Sequence, residues 1–162
     1  MSNEQSFQIG RLMFVIAWLI FFILLFLFFY YYNQNEKASY HVQHGTVTIR
    51  ADKQGHYRLE GYVNDYPVEF MIDTGATLVA IPQKLATQMN LEGRYTISMG
   101  TANGVVTGSL TRLKQLGFAG FTLHNIKAVI IPGSEDNVVL LGMNVLSQFN
   151  LSQQDKRLII KK

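Results

Sequence analysis

The chain has 162 residues, of which 48% are hydrophobic, 15% are charged and none is cysteine, and its formal net charge is +3. This length allows one domain plus an appendage, and the lack of cysteine excludes disulfide bonds and thiolate metal sites. The small net charge, without a basic tract or arginines interleaved with aromatic residues, argues against a nucleic-acid partner.

The first predicted element is a long apolar segment at residues 12–32, which follows a short N-terminal tail at residues 1–11. Residues 12–32 carry no charge, and a helix of this length spans roughly 30 Å, about the thickness of the hydrocarbon core of a bilayer. A cleavable signal peptide is the alternative interpretation, but its apolar core covers roughly 7–15 residues and small residues follow it. Bulky residues end this core, at Tyr30, Tyr31 and Tyr32. The segment therefore predicts an uncleaved transmembrane helix.

The charges beside this segment indicate its orientation. Arg11 and the terminal amine precede it, and Lys37 is the only basic residue close behind it. Because basic residues tend to remain in the cytoplasm, this pattern favours a cytoplasmic N-terminus and an exported C-terminal part.

Residues 33–45 are polar and aperiodic and are interpreted as a tether between the membrane and a folded domain at residues 46–162. His41 and His44 lie three residues apart in this tether, but no acidic residue or further histidine accompanies them. The sequence therefore predicts no metal site, and no motif in it indicates a cofactor.

In the domain, alternating apolar and polar residues predict short strands, one of them at residues 66–72. Asn64 and Asp65 predict a tight turn before this strand, because both residue types tolerate a positive φ. Helical patterns occur only near residues 82–90 and 143–149. The domain is therefore predicted to be mostly β, with one or two short helices.

An aspartate, Asp73, follows the strand predicted at residues 66–72 and precedes another apolar run. An ionised carboxylate is costly to bury unless it is paired, so its position requires an explanation. The motif Asp73-Thr74-Gly75 alone is a weak signal, since turns commonly contain Asp and Gly. Its position between two apolar strands makes it a stronger one.

Two further elements are distinctive. At residues 99–105 the pair Asn103-Gly104 predicts a hairpin with a tip of small residues. Residues 138–146 form an apolar strand, then Gly142, then a short helix. Gly142 allows the start of the helix to pack closely against another backbone segment.

In this order, the three elements resemble the retropepsin-like aspartic proteases, and most closely the bacterial membrane-anchored family of clan AA, which has one catalytic domain per chain. The resemblance extends from about residue 55 to residue 160. It implies an all-β fold, a retropepsin-like closed β-barrel, and a location in the bacterial inner membrane with the C-terminal domain in the periplasm. It also implies that Asp73 is the catalytic residue and that Thr74, Gly75 and Ala76 support the active-site loop. The flap would consist of Thr101, Ala102, Asn103 and Gly104. The strand and glycine that brace the catalytic loop would be Leu140, Leu141 and Gly142.

Aspartic proteolysis requires two carboxylates about 3 Å apart that share one proton. Of the five aspartates in the chain, only Asp73 is followed by Thr-Gly. The site is therefore expected to form in a homodimer, with a two-fold axis between the two copies of Asp73. The predicted function is that of a membrane-tethered aspartic endopeptidase that hydrolyses peptide bonds in a peptide or protein substrate.

The chain departs from the viral members of this group at two positions. Those members have Asp directly after Asp-Thr-Gly-Ala and Arg directly after the later Gly, as an ion pair. Here these positions are Thr77 and Met143, whereas Asn144 retains the polar residue that comes next. The departure concerns the dimer contact more than the catalysis.

The sequence is also compatible with two alternative functions. One is a catalytically silent retropepsin-fold module that binds a peptide or partner protein at the membrane. The other is a structural membrane protein with a β domain, which leaves Asp73 unexplained. The intact Asp73-Thr74-Gly75 motif and the Asn103-Gly104 pair favour the enzyme, because folding alone requires neither.

Overall fold

The computed structural model describes residues 2–32, 40–43, 45–101, 104–133 and 137–162. For residues 2–10, 12, 31 and 32 it describes the backbone only. The chain divides into two compact units, Met1–Lys37 and Ala38–Lys162. The predicted tether at residues 33–45 lies largely outside the described residues, since only 40–43 and 45 of it are described.

The described part of the first unit is one helix, α1 (Ser2–Tyr32). Within it, the segment Met13–Tyr30 has a mean hydropathy of 2.8, and none of it is buried in the protein. By length and composition this helix is able to cross a membrane, although a signal sequence near an N-terminus has the same properties.

The second unit contains eleven strands and two short helices in the part of the chain that the structure describes. In chain order these elements are β1 (Tyr40–Gln43), β2 (Thr46–Arg50), β3 (Arg58–Val63), β4 (Tyr66–Ile72), β5 (Val79–Pro82), α2 (Gln83–Gln88), β6 (Tyr95–Thr101), β7 (Gly104–Phe118), β8 (Phe121–Ile131), β9 (Val138–Leu141), α3 (Met143–Leu146), β10 (Asn150–Gln154) and β11 (Arg157–Lys161). The predicted mostly-β domain with short helices is thereby confirmed.

The larger sheet closes into a barrel. Its strand order is β3-β4-β9-β5-β8-β7-β6, and β3 also pairs with β7 through Gly61–Phe118, Tyr62–Gly117 and Val63–Leu116. Six strands therefore form a ring, and within the described residues β6 lies outside this ring and pairs only with β7. This arrangement confirms the predicted closed β-barrel. A second sheet has the order β1-β2-β11-β10.

The barrel core follows from the alternation of its strands. In β4, Val68 and Phe70 are buried, whereas Glu69 and Met71 on the opposite face are more exposed. The Phe70 ring contacts the buried Phe118 ring of β7, with centroids 6.3 Å apart. Burial of an apolar side chain of this size stabilises the fold by about 1.5–3 kcal/mol. The strand that leads to Asp73 is therefore firmly anchored.

The local signals for turns and strands agree with the structure. Strand β4 has the bounds predicted for it, and the turn before it has a positive φ at both Asn64 (46°) and Asp65 (67°). The segment predicted as a tether differs, because Tyr40–Gln43 forms strand β1. It pairs with β2 over four residues, and Tyr40 packs partly buried against the core. Pairing with a neighbouring strand satisfies the backbone of a segment that has little apolar pattern of its own.

Candidate active site

Asp73 lies directly after β4, at the point where the strand leaves the barrel wall. Its side chain is partly buried, and its N–H donates to the carbonyl oxygen of Leu141 in β9 at 3.2 Å. This bond continues the parallel pairing of β4 with β9, in which Ile72 lies opposite Leu141. The backbone of Asp73 is thus held by two strands, while its carboxylate reaches the surface of the single chain.

The residues after Asp73 form a turn that orients its carboxylate. The N–H of Gly75 donates to Asp73 Oδ1 at 2.8 Å, and the N–H of Ala76 donates to the carbonyl oxygen of Asp73 at 3.3 Å. Thr74 and Gly75 are exposed. The hydrogen bond from Gly75 fixes the orientation of the carboxylate, and the neighbouring face of the loop is open to solvent.

Gly142 lies against the backbone of this loop. A Cβ atom at Gly142 would overlap the carbonyl oxygen of Leu78, and it would lie 2.6 Å from the carbonyl carbon of Leu78 and 2.9 Å from the carbonyl oxygen of Ala76. Only a residue without a side chain allows this approach. The structure therefore brings the expected bracing residues (Leu140, Leu141 and Gly142) together with the Asp73 loop.

Backbone hydrogen bonds join the loop to the start of α3. The N–H of Met143 donates to the carbonyl oxygen of Ala76 at 2.8 Å, and the N–H of Asn144 donates to that of Thr77 at 3.0 Å. Thr77 and Met143 are the positions at which the viral proteins have an ion pair. In this chain, main-chain bonds at the same two positions attach the loop to the helix.

Asn144 contributes more to the site than the sequence analysis assigned to it. Its Oδ1 accepts from the N–H of Val79 at 3.0 Å, and its Nδ2 donates to the carbonyl oxygen of Lys127 at 2.8 Å. One side chain thus connects α3 to β5 and β8. The only sequence signal is a polar residue at the start of a short helix that follows an apolar strand.

The predicted flap is the hairpin of β6 and β7. Thr101 pairs with Gly104, and the Thr101 hydroxyl donates to the carbonyl oxygen of Gly104 at 2.8 Å. Gly104 has a φ of 107°, a conformation that favours glycine. The other two expected flap residues, Ala102 and Asn103, lie outside the described residues. Val105, in the described part of the hairpin, is 79% exposed.

Replacing Gly104 with valine is expected to reduce kcat/KM for peptide cleavage while Tm changes little. A β-branched residue is strained at a φ of 107°, but the tip contributes little to the barrel core. Peptide cleavage rates and thermal unfolding of the full-length protein in detergent would measure both effects. Gly100→Val on the same hairpin is the control, because Gly100 has open space around it and an ordinary φ. Unchanged cleavage by the Gly104 variant would show that this hairpin is not the flap.

Comparisons with known proteins agree with this geometry. The family model described as "gag-polyprotein putative aspartyl protease" matches residues 59–148, which is more than half of the chain. The crystal structure of a retropepsin-like aspartic protease from Rickettsia conorii is similar to this chain, with a TM-score of 0.63 and 28% sequence identity. The similarity covers 77% of this chain and 95% of that one.

Two curated relatives are described only as uncharacterized proteins. One, from Rickettsia prowazekii (strain Madrid E), is 33% identical over 120 residues, which are 72% of this chain and 51% of that protein. The other, from a Sinorhizobium species, is 24% identical over 110 residues, which are 66% of this chain and 47% of that protein. The chain thus spans about half the length of these relatives. The match to the family model and the shared barrel establish that this chain belongs to the retropepsin-like aspartic protease family.

Proposed function

We propose that this protein is a membrane-tethered aspartic endopeptidase that is active as a homodimer, with Asp73 of each chain in one shared site. The observation that carries the proposal is the Asp73 carboxylate itself. It lies at the end of a well-anchored strand, is oriented by the N–H of Gly75 at 2.8 Å, and is only partly buried in the single chain.

In the proposed reaction, one of the two carboxylates is ionised and the other is protonated. The ionised group takes a proton from a water molecule, and the resulting oxygen nucleophile attacks the carbon of the scissile peptide bond. The protonated group donates a hydrogen bond to the carbonyl oxygen. A proton then passes to the leaving nitrogen as the carbon–nitrogen bond breaks, so the pair again holds one proton.

One chain does not offer a second aspartate followed by Thr-Gly that could pair with Asp73. Asp52 is engaged by Arg58, at 3.2 Å. Asp65 and Asp155 lie in hairpin turns with a positive φ, away from any Thr-Gly sequence. Asp136 lies outside the described residues, and it too is not followed by Thr-Gly. A second copy of Asp73 supplies the missing group under two-fold symmetry.

The substrate class proposed is an extended peptide or protein segment. Retropepsins generally act on peptides as dimers, and a β-hairpin over the site can pair with an extended chain as an added strand. The hairpin of β6 and β7 is suited to this role because β6 pairs with β7 alone and leaves its other edge open in the described part of the chain.

The membrane is proposed to favour dimer formation. If α1 spans a bilayer, the second unit is confined near its surface, which raises the effective concentration of one copy for another. The proposed orientation places the second unit in the bacterial periplasm.

Cleavage by the purified full-length protein in detergent tests the shared site. Specific activity should rise with enzyme concentration in the range where dimers form, since only a dimer has both carboxylates. Above that range, an equal amount of Asp73→Asn chain should reduce the activity of the wild-type chain to about half, because the two kinds of chain form mixed dimers. Sedimentation would measure the dimer fraction.

Specific activity that stays constant across concentrations at which the protein is a monomer would contradict the shared site. Peptide binding without any cleavage by the wild-type dimer would instead support the catalytically silent module.

A further inference from the structure

A small cavity lies close to the Asp73 loop. Its volume is about 140 Å³. Six apolar residues and one arginine line it, namely Met71, Ala80, Pro82, Ile131, Val138, Leu140 and Arg58. Pairing of the strands brings three of them side by side, because Leu140 lies opposite both Met71 and Ala80.

The cavity lies on the face of β4 that carries Met71, and Asp73 follows this strand directly. Met71 precedes Asp73 by two residues, and side chains two residues apart in a strand share a face. Val68 and Phe70, on the other face, are buried in the barrel. Two residues of strand cover only about 7 Å. A peptide bound across Asp73 would therefore bring one of its side chains to this cavity.

The size and lining of the cavity suit a medium-sized apolar side chain. An apolar protein cavity of about 150 Å³ admits a benzene molecule, so a volume of about 140 Å³ accommodates a side chain such as that of leucine or phenylalanine. Arg58 is the exception in this lining, because an unpaired guanidinium would attract an acidic side chain.

Two carboxylates form ion pairs with the guanidinium of Arg58. Its Nε lies 3.2 Å from Asp52 Oδ2, and one of its terminal nitrogens lies 3.3 Å from Glu69 Oε2. Asp52 is held in turn, since its Oδ1 accepts from the N–H groups of Gln54 at 2.9 Å and His56 at 2.8 Å. The aliphatic part of an arginine side chain can cover apolar surface while its charged group is paired.

We propose that Asp52 and Glu69 determine substrate preference through Arg58. By pairing with its guanidinium, they keep the cavity beside Asp73 selective for an apolar substrate side chain over an acidic one. This inference rests on the proposed peptidase function and adds to it the class of residue accepted at one position of the substrate.

The pairing of Asp52 with Arg58 persists to a lower pH than an ordinary aspartate would allow. Burial raises the pKa of Asp52. Hydrogen bonds from the N–H groups of His56 and Gln54, together with the charges of His56 and Arg58, lower this pKa by more than burial raises it, so the pKa lies below its usual value. A lowered pKa keeps the carboxylate ionised, and the pairing with Arg58 is lost only as the pH falls through this lowered value.

The test compares two peptides cleaved by the full-length protein in detergent. A library of defined peptides, analysed by mass spectrometry, first locates the cleaved bond. Pairs of peptides are then made that differ only in having leucine or glutamate at one residue next to that bond. The residue before the bond and the residue after it are varied in turn, and the position at which the wild-type protein distinguishes leucine from glutamate is used. The wild-type protein should prefer leucine by more than about tenfold. The Asp52→Asn/Glu69→Gln variant should raise the glutamate-to-leucine ratio of kcat/KM by about tenfold, the contribution expected of one hydrogen bond to a charged group.

Three controls complete the test. Asp65→Asn/Glu92→Gln removes two negative charges from exposed positions that do not line the cavity and should leave the ratio unchanged. Addition of Arg58→Met to the first variant should abolish the gain. Glu69→Gln alone should give a smaller gain in the same direction, and it serves if the double variant fails to fold.

An unchanged ratio in the folded variants, or a wild-type preference for glutamate, would overturn the inference while leaving the peptidase function standing. No cleavage of any library peptide by wild-type dimers would refute the proposed function and this inference with it.

Discussion

Replacing Asp73 with asparagine is expected to lower kcat/KM for peptide cleavage by about 10²–10⁴-fold, the contribution typical of a positioned acid–base group. The asparagine amide cannot take the proton from water. Its oxygen can still accept the hydrogen bond from Gly75, which reaches Asp73 Oδ1 at 2.8 Å. Folding and dimerisation should therefore change little. Initial rates on a cleaved peptide, with Tm and sedimentation of the same samples, measure both.

Asp155→Asn is the matched control for this variant. It makes the same chemical change in the turn between β10 and β11, where Asp155 has a φ of 48° that asparagine also tolerates. Its kcat/KM should equal that of the wild type. Wild-type activity in the Asp73 variant would show that another group performs the catalysis.

Replacing Gly142 with alanine is expected to impair both folding and cleavage. The added methyl group would overlap the carbonyl oxygen of Leu78 and lie 2.9 Å from that of Ala76. Both are backbone atoms, so the loop itself must shift. Overpacking of this kind costs about 1–3 kcal/mol, which corresponds to a fall in Tm of about 4–12 °C for a domain of this size. The shifted loop also carries Asp73. We therefore expect kcat/KM to fall by a larger factor than the fraction of folded protein does.

Gly100→Ala provides the comparison, because nothing lies within 4 Å of a Cβ atom placed there. Thermal unfolding, followed by circular dichroism, would compare the Tm values of the two variants. Cleavage rates measured below both melting temperatures would compare their kcat/KM values. Equal Tm values for the two variants would show that the close contact at Gly142 does not constrain the loop.

The sequence predicted the parts of the fold that depend on local pattern. The alternation of β4 is visible in residues 66–72, and the pair Asn64-Asp65 indicates its turn because few residue types tolerate a positive φ. The Asp73 loop and the Gly142 element were also identifiable, since each interrupts an apolar strand with small residues. Their placement beside each other agrees with what the family resemblance implied.

The features that the sequence did not predict depend on contacts between different strands and helices. Strand β1 has little apolar pattern of its own and exists through its pairing with β2. Asn144 acts on Val79 and Lys127, which lie far from it in the chain. The pairing of Arg58 with Glu69 likewise results from the register of β3 against β4. No local periodicity encodes such contacts.

The bracing of Asp73 by β9 has a consequence for the order in which the protein is made. Ribosomes add residues from the N-terminus at about 5–20 per second, so Asp73 is synthesised about 65 residues before Val138, where β9 begins. Until Leu141 and Gly142 leave the ribosome, the Asp73 loop lacks its hydrogen bond to Leu141 and its contact with Gly142. A nascent chain that ends before residue 138 therefore carries the aspartate without the support that positions it. Under the proposed function, the site of a nascent chain is therefore complete only after residues 138–142 have been synthesised.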